Sequence, residues 1–351
     1  MTGVADTRPG ALAVRGLRTV FASPAGPLTA VDGVDLDLAP GEILGLVGES
    51  GSGKSVTLRS LLRLVRPPGR IAGEVLWGGR DLLGLRPGEL RRVRGREIAT
   101  VFQEPMTALN PVLTVGRQID ESLRAHTGLD ARGRRARGVD LLDLVGIPAP
   151  ATRLADYPHQ FSGGMRQRAM IAIALAGEPR LLLADEPTTA LDVTIQDQIL
   201  KLILALRARL GMGVILVTHD LGVVAQSCDR VAVMYAGRIV ETGPVAALFA
   251  EPRHAYTRGL IGSVPRAGGE RRPLLSIDGT PPGLGARPAG CAFHPRCGFA
   301  TDACRREAPP LAAVAPGREA AGREAPGREA ACWHHAAVAA AGIEAPVPEP
   351  A

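Results

Sequence analysis

The chain has 351 residues, of which 46% are hydrophobic, 22% charged and only 3% aromatic. This length suffices for one large domain or two, and the hydrophobic fraction excludes a wholly disordered protein. No apolar run approaches ~18 residues, and the N-terminal MTGVADTRPG does not have the pattern of a secretory signal, so we expect an intracellular protein without a membrane span. The net charge of +6 is a weak bias that permits an anionic partner without indicating one.

The first part of the chain alternates between predicted strands and helices. In chain order, strands are expected over residues 12–14, 31–38, 43–47, 97–102, 181–184 and 214–217. Helices are expected over 54–65, 113–180 and about 194–210, the second interrupted near 126–138 by a basic, glycine-containing loop. The last two strands are short apolar runs, which are typical of a parallel sheet. The first ~250 residues are therefore predicted to be α/β.

The composition changes after Pro252. Proline and glycine become frequent, and four of the five cysteines follow residue 290, whereas Cys228 is expected to pack as a small buried hydrophobe. The sequence GREA occurs three times, starting at Gly317, Gly322 and Gly327, and is interpreted as a solvated low-complexity loop. Residues 336–351 are predicted to be a disordered tail.

Residues 48–55 read GESGSGKS, the pattern of a phosphate-binding loop between a strand and a helix. Its glycines let the backbone wrap around phosphate oxygens, and the backbone amides point towards the anion. Lys54 would contact the β- and γ-phosphates, and the Ser55 hydroxyl would bind Mg²⁺. Lys54 is one of only two lysines in this arginine-rich chain. The pattern predicts a nucleotide, with these candidate ligands: Gly48, Glu49, Ser50, Gly51, Ser52, Gly53, Lys54 and Ser55.

Two acidic residues, Asp185 and Glu186, end the apolar strand LLLADEP. Carboxylates at the end of a buried strand are costly unless they have a function. Asp185 is the candidate Mg²⁺ ligand, and Glu186 would polarise the attacking water.

A second candidate anion site lies at FSGGMRQR, residues 161–168, before an apolar helix. Ser162 is the expected N-cap, and Gly163 and Gly164 leave the first-turn amides open. One chain needs one phosphate cradle, so the second suggests contact with a nucleotide held by another chain.

Together these motifs resemble the ATP-binding subunit of ABC transporters. The resemblance covers about 250 residues in family order and adds Gln103 after strand 97–102, the loop Ala190-Leu191-Asp192, and His219 in VTHD. The signature departs from the common LSGGQ at Phe161 and Met165. The resemblance implies a P-loop NTPase fold: a RecA-like core, an antiparallel β subdomain and a helical subdomain at about 105–180. It also implies an ABC domain over 1–252 and a small C-terminal extension over 253–335.

The resemblance also implies a role for each matched residue. Glu186, His219 and Gln103 would be catalytic, with Gln103 also near ATP and Mg²⁺. Ser162, Gly163, Gly164 and Asp192 would contact ATP bound to the opposing subunit. Phe21, 33 residues before Lys54, would stack on adenine, with a core phenylalanine as the alternative.

Three further segments are similar to the oligopeptide/dipeptide importer branch: 102–116, 157–168 and 251–266. The third has His254-Ala255-Tyr256 where the branch usually has His-Pro-Tyr. Such a subunit would lie on the cytoplasmic face of the cell membrane as a peripheral protein. Its implied partners are two permease subunits, a second identical or related ATPase subunit, and an extracytoplasmic solute-binding protein.

The four C-terminal cysteines are Cys291, Cys297, Cys304 and Cys332, with spacing C-x5-C-x6-C-x27-C. Structural disulfides are uncommon inside cells, and four thiolates suit Zn²⁺ or an iron–sulfur cluster. The resemblance implies a [4Fe–4S] cluster, with Zn²⁺ or free thiols as the alternatives.

Two other functions compete with peptide import. A nickel or other small-solute importer would share the same motifs. An ABC ATPase that acts on nucleic acid would fit the charge, but its relatives usually carry two cassettes or long insertions, so we expect no nucleic-acid partner.

Overall fold

The computed structural model describes residues 7–189, 191–264, 277–314 and 327–343. The strands are β1 (Leu12–Phe21), β2 (Leu28–Leu38), β3 (Ile43–Val47), β4 (Gly69–Trp77), β5 (Arg80–Asp81), β6 (Ile98–Val101), β7 (Leu181–Asp185), β8 (Gly213–Thr218), β9 (Arg230–Tyr235), β10 (Arg238–Pro244), β11 (Ala312–Ala313) and β12 (Glu329–Ala330).

The helices are α1 (Lys54–Leu61), α2 (Pro87–Val93), α3 (Pro105–Ala108), α4 (Val115–His126), α5 (Ala131–Leu144), α6 (Pro150–Arg153), α7 (Gly163–Leu175), α8 (Val193–Leu210), α9 (Leu221–Ser227), α10 (Val245–Ala250), α11 (Ala255–Gly262), α12 (Asp302–Arg306) and α13 (His335–Ala340). No helix in the described part of the chain has the length and apolar character needed to span a membrane.

The chain divides into two compact units. The helical unit contains residues 7–12, Leu38–Glu42 and Leu76–Val217. The phosphate-loop unit contains Ala13–Asp37, Ile43–Val75 and the described residues from Thr218 onward. The C-terminal extension thus belongs to the same unit as residues 48–55.

The helical unit contains three parallel strands in the order β8-β7-β6. β7 and β8 are buried along their whole length, as expected for apolar strands covered on both faces. Helices α4, α5 and α7 pack on one another through apolar side chains such as Ile119, Leu142 and Ile171. The two short strand predictions in this unit, 181–184 and 214–217, are confirmed.

The phosphate-loop unit has a sheet in the order β11-β12-β10-β9-β3, in which β3 and β9 are parallel and the remaining pairs are antiparallel. It also contains β2, β1 and β4 as neighbours in that order. Its core brings together side chains that are distant in the sequence, including Val47, Tyr235, Tyr256, Phe293 and Val338. The extension therefore supplies part of the core on which β3 lies.

The predicted loop near 126–138 is shorter than expected: the chain leaves the helix only over residues 127–130, and helix α5 begins at Ala131. The Asp130 carboxylate caps this helix by accepting a hydrogen bond from the Gly133 amide at 2.7 Å. Arg134 is held by Asp120 at 2.6 Å, so the basic residues lie on a packed helix. The arginine and glycine content predicts a loop over the whole segment, but the Asp130 cap and the pairing of Arg134 with Asp120 stabilise a helix from Ala131 onward.

Two predictions for the C-terminal part also differ from the structure. The third GREA copy is not a solvated loop: Arg328 is buried, donates to the Glu251 carbonyl, and precedes β12, which pairs with β10. The first two copies lie in 315–326, outside the described residues. Helix α13 occupies part of the predicted disordered tail, because Val338 is fully buried in the core. Residues 344–351 also lie outside the described part.

Candidate nucleotide site

The phosphate loop connects β3 to α1 as the sequence predicts. Gly48 and Gly53 have φ values of 151° and 106°, which L side chains rarely adopt. A Cβ at Gly48 would collide with the Met234 carbonyl, and one at Gly53 would lie 2.5 Å from the Ala30 carbonyl. Only glycine therefore permits this close passage of the loop against β9 and β2.

Lys54 lies at the first turn of α1 and is buried. Its ammonium donates to the carbonyl oxygens of Gly48 and Glu49 at 2.7 and 2.8 Å. The side chain therefore folds back over the loop, with its charge held at the carbonyl side of residues 48–49. This is the position from which a lysine can contact phosphate oxygens wrapped by the loop.

The loop is also fixed from the turn that follows β9. The Gly237 amide donates to the Ser52 carbonyl at 2.9 Å, and the Gly237 carbonyl accepts from the Asp32 amide at 2.8 Å. These backbone bonds hold the loop against the strands of its own unit. A loop fixed in this way is preorganised for an anion rather than ordered by it.

In the helical unit, Asp185 is the buried last residue of β7, and Glu186 follows it with a φ of 45°. The left-handed backbone is uncommon for glutamate and is often found at functional positions. The Glu186 carboxylate accepts from the Thr189 hydroxyl at 2.8 Å and from the Gln103 side-chain amide at 3.2 Å. The structure thus brings together two of the predicted catalytic residues.

His219, the third predicted catalytic residue, follows β8. β8 is parallel to β7, with Val217 paired to Asp185, so the carboxyl end of β8 lies beside that of β7. Asp220 caps α9 by accepting from the amides of Gly222 and Val223, which fixes the chain immediately after the histidine. His219 itself is exposed.

The signature residues form the start of α7. Ser162 is the N-cap and its hydroxyl accepts from the Met165 amide at 3.3 Å, as predicted. A Cβ at Gly164 would lie 2.8 Å from a methyl carbon of Ile195, so a larger side chain there would displace α8. Asp192 caps α8 through the Ile195 amide at 2.9 Å. Ser162, Gly163 and Asp192 are exposed, as contact with another chain would require, whereas Ala190 lies outside the described residues.

Phe21 ends β1 and is half-buried. Its ring packs close to the backbone of Gly69 at the start of β4, where a Cβ would lie 2.8 Å from the ring. This contact holds the ring at the end of the strand, and stacking on adenine stays a prediction.

The four C-terminal cysteines line one small, apolar cavity together with residues that include Phe293 and Trp333. Burial, with the neighbouring thiols adding to it, raises the pKa of Cys297 and Cys332 to about 12, and it also raises that of Cys291. In the described ranges no group of three or more His, Cys, Asp or Glu side chains has the geometry of a metal site. The four thiols thus share one cavity, and their role as ligands of a metal or cluster stays a prediction.

Cys228 is partly buried and packs beneath Gly45 of β3. Burial raises the pKa of its thiol to about 12, so it stays protonated at neutral pH. Its packing agrees with the prediction that Cys228 acts as a small hydrophobe.

Two residues contact the phosphate loop although the sequence did not predict these contacts: Arg296, and Tyr256 from the segment similar to the importer branch. Arg296 donates to both carboxylate oxygens of Glu49 at 2.7 and 3.0 Å, and the Tyr256 hydroxyl accepts from the Glu49 amide at 2.7 Å. The Glu49 carboxylate holds the pKa of Arg296 above its usual range. Because more than 200 residues separate them from the loop, local patterns cannot find such contacts.

The chain was also compared with protein families, curated proteins and solved structures. The pattern of the family described as "ABC transporter" matches residues 31–189, and that of "Oligopeptide/dipeptide transporter, C-terminal region" matches residues 240–304. A protein of Brucella melitensis with the provisional name peptide import ATP-binding protein is 54% identical over 318 residues, 86% of this chain and 94% of its own. A Brucella abortus protein of the same provisional name is 53% identical over 299 residues, covering 85% of this chain and 90% of its own.

A solved structure is similar to this chain in both fold and sequence. The dimeric structure of the ATP-binding cassette MJ0796, in a post-hydrolysis state with ADP and Pi, has a TM-score of 0.60 and 29% identity. The match covers 67% of this chain and 98% of the cassette. The fold of this chain, the order of its nucleotide motifs and these matches agree. The chain therefore belongs to the ABC transporter family of ATPases, in the group that carries the oligopeptide/dipeptide transporter C-terminal region.

Proposed function

We propose that this protein hydrolyses ATP to drive import of di- and oligopeptides through separate permease subunits. The observation that carries the proposal is the combination, in one chain, of the phosphate loop at 48–55 with a C-terminal region of the oligopeptide/dipeptide type at 240–304. The Brucella relatives, whose provisional name is peptide import ATP-binding protein, support the same substrate class. The protein would act at the cytoplasmic face of the membrane, as a peripheral subunit.

In the proposed reaction, the phosphate loop and Lys54 hold the triphosphate. Glu186, oriented by Thr189 and Gln103, takes a proton from water as the water oxygen attacks the γ-phosphorus. The bond between the γ-phosphorus and its bridging oxygen breaks, and ADP and phosphate leave. His219 would hydrogen-bond the γ-phosphate.

The residues proposed for Mg²⁺ offer oxygen donors: the Ser55 hydroxyl, the Asp185 carboxylate and the Gln103 amide oxygen. Hard oxygen donors of this kind suit Mg²⁺, so the set fits the ion. When bound, Mg²⁺ would neutralise charge on the phosphate oxygens.

A second copy, or a related ATPase subunit, would complete each nucleotide site. The exposed start of α7, with Ser162, Gly163 and Gly164, would contact the γ-phosphate held by the opposing subunit, and Asp192 would lie across that interface. Closure around ATP would then favour one state of the permeases, and hydrolysis would release it. The dimeric state of the related cassette supports this arrangement.

The helical unit carries the surface that we propose for the permease. A groove of about 300 Å³ lies beside α3 and α4, lined by residues that include Phe102, Leu109, Leu113, Gln118 and Met170. Several large apolar side chains nearby in the sequence are exposed, Met106 at 65% and Val112 at 76%. Exposed apolar side chains beside a groove are typical of a protein interface. Because Gln103 follows Phe102, a permease seated here would be close to the proposed catalytic residues.

Reconstitution with the cognate permeases tests both the function and this surface. In proteoliposomes, the peptide-loaded solute-binding protein should stimulate ATP hydrolysis and drive peptide uptake. Val112→Asp should reduce retention of the chain on the permeases at least about tenfold, because it places a charge in an apolar interface. Leu210→Asp, at an exposed apolar position at the end of α8, is the matched control and should bind normally. Stimulation by nickel or another small solute instead of peptides would overturn the substrate class, and stimulation by nucleic acid alone would overturn transport.

We propose further that Cys291, Cys297, Cys304 and Cys332 hold a [4Fe–4S] cluster. The support is that all four thiols line one apolar cavity in the phosphate-loop unit, and that four cysteine sulfurs are the donor set of such clusters. Because the buried thiols have raised pKa values, binding must release protons, and affinity should fall as the pH is lowered.

Anaerobic purification should yield about four iron and four sulfide per chain, with visible absorption that is lost on exposure to a chelator. Cys297→Ser should lower the iron content, whereas Cys228→Ser, outside the cavity, should not. One Zn²⁺ per chain in place of iron would identify a zinc site, and protein without stoichiometric iron would contradict the cluster.

A further inference from the structure

The C-terminal extension contacts the phosphate loop at its second residue. The Glu49 amide donates to the Tyr256 hydroxyl at 2.7 Å. The Glu49 carboxylate accepts from both terminal nitrogens of Arg296, at 2.7 and 3.0 Å. The backbone and the side chain of Glu49 are thus each held by a different residue of the extension.

Arg296 is itself held in place. Its side chain is only 6% exposed, and its Nε donates to the Asp278 carbonyl at 2.8 Å. The guanidinium lies over the rings of Phe293 and Tyr235, at 5.7 and 5.9 Å from their centroids. A guanidinium with so many fixed neighbours keeps one orientation, and a bidentate pair transmits that orientation to the carboxylate.

Tyr256 is also rigid. Its side chain is fully buried, with ring centroids 4.6 Å from Tyr235 and 5.4 Å from Phe293. The Tyr256 hydroxyl therefore has a fixed position, and the hydrogen bond from the Glu49 amide to it fixes the loop backbone at Glu49. The aromatic cluster of Tyr235, Tyr256 and Phe293 supports both contacts with the loop.

A third residue of the extension acts on the turn that follows β9. Arg287 donates to the Ala236 carbonyl and to the Asp32 carboxylate. The next residue, Gly237, donates to the Ser52 carbonyl. The turn that supports Ser52 is therefore itself fixed by the extension.

The charge of Glu49 makes its pairing important. A carboxylate within the loop repels the phosphates of a bound nucleotide, and the repulsion is strong where water is partly excluded. Arg296 neutralises this carboxylate and is itself anchored by the hydrogen bonds that it donates to the Asp278 carbonyl and the Tyr235 hydroxyl. Without the arginine, the negative charge would remain in the loop without its bidentate partner.

We propose that Arg296 and Tyr256 are positioning residues for nucleotide binding, through which the C-terminal extension sets the affinity of the phosphate loop for ATP. The proposal rests on the proposed binding of ATP by residues 48–55. Neither residue needs to touch the nucleotide: Tyr256 acts through the Glu49 backbone, and Arg296 acts through its carboxylate.

Calorimetric titration of the full chain with MgATP tests this proposal. Arg296→Gln should raise the Kd at least about tenfold, since it removes a bidentate charge-assisted pair and exposes ATP to the Glu49 charge. In ATPase assays the loss should fall mainly on KM, with kcat at saturating ATP much less affected. Arg86→Gln is the control, because Arg86 pairs with Glu89 at 2.7 Å on the exposed start of α2.

The double variant Glu49→Gln/Arg296→Gln separates positioning from general stability. Removing the carboxylate as well should return the Kd to within about threefold of the unmodified chain, because the uncompensated charge is gone. If Arg296 only stabilised the fold, the double variant would bind no better than the single one, and the proposal would be wrong.

Tyr256→Phe provides an independent arm should Arg296→Gln fold poorly. It keeps the aromatic packing but deprives the Glu49 amide of its acceptor, so the Kd should rise about three- to tenfold with little change in the melting temperature. Unchanged affinity in both Arg296→Gln and Tyr256→Phe would overturn the proposal. A chain that binds no MgATP even when unmodified would instead overturn the proposed function.

Discussion

Replacing Glu186 with glutamine should slow steady-state ATP turnover by at least ~100-fold, or about 2.7 kcal/mol, the lower range for loss of a general base. Glutamine keeps the size of the side chain and can still accept the Thr189 hydroxyl at its amide oxygen, but it cannot take a proton. MgATP binding should persist because residues 48–55 are intact. Phosphate release in single-turnover assays measures the chemical step directly.

The same variant should accumulate as a nucleotide-bound dimer, visible by light scattering in the presence of MgATP. Glu178→Gln is a closely matched control, because Glu178 lies in the same unit with a left-handed φ of 54° and has an exposed side chain that pairs with Arg137 at 3.0 Å. It should keep normal turnover. Turnover of Glu186→Gln within about threefold of the unmodified chain would be incompatible with a catalytic base at this position.

Lys54→Met should weaken the binding of MgATP itself, whereas Glu186→Gln should retain it. Lys54 brings a buried positive charge to the loop, and methionine has similar length without charge or hydrogen-bond donors. We expect the Kd for MgATP to rise by about 10- to 100-fold, since hydrogen bonds to charged groups contribute about 1.5–3 kcal/mol. Turnover should fall at least about 100-fold, because a donor to the transferring phosphate is also lost.

The chain offers a natural control for this variant. Lys201 is the other lysine, 73% exposed on α8 and paired with Asp197 at 2.7 Å. Lys201→Met removes the same charge from the chain as a whole, so it should leave both Kd and turnover unchanged. Retained MgATP affinity in Lys54→Met would show that the loop binds nucleotide by its backbone alone.

The nucleotide motifs were predictable because the conformation of each motif depends on residues that are close together in the sequence. The glycines at 48 and 53 have the backbone angles that the loop requires, and Ser162 caps α7 as its sequence indicates. The apolar runs before Asp185 and before His219 form buried parallel strands for the same reason. A short sequence suffices where a few neighbouring residues determine the conformation.

Features that depend on distant partners were not predictable. Arg328 looked like part of a polar repeat, yet it is buried against Glu241 and Glu251, and Val338 fills the core from an alanine-rich tail. Helix α5 depends on Asp130 as a cap and on Asp120 as a partner for Arg134. The pairing of Arg296 with Glu49 spans 247 residues, which no local pattern can show.

The shared core of the phosphate-loop unit has a practical consequence for engineering. Phe293 and Val338 pack with Val47 and Tyr235, so a protein cut after Pro252 would open an apolar face directly beneath β3. Grafting the extension from another importer would require matching the facing side chains as well, as in repacking an enzyme interior. The residues after Pro252 are therefore an integral part of the core of the phosphate-loop unit.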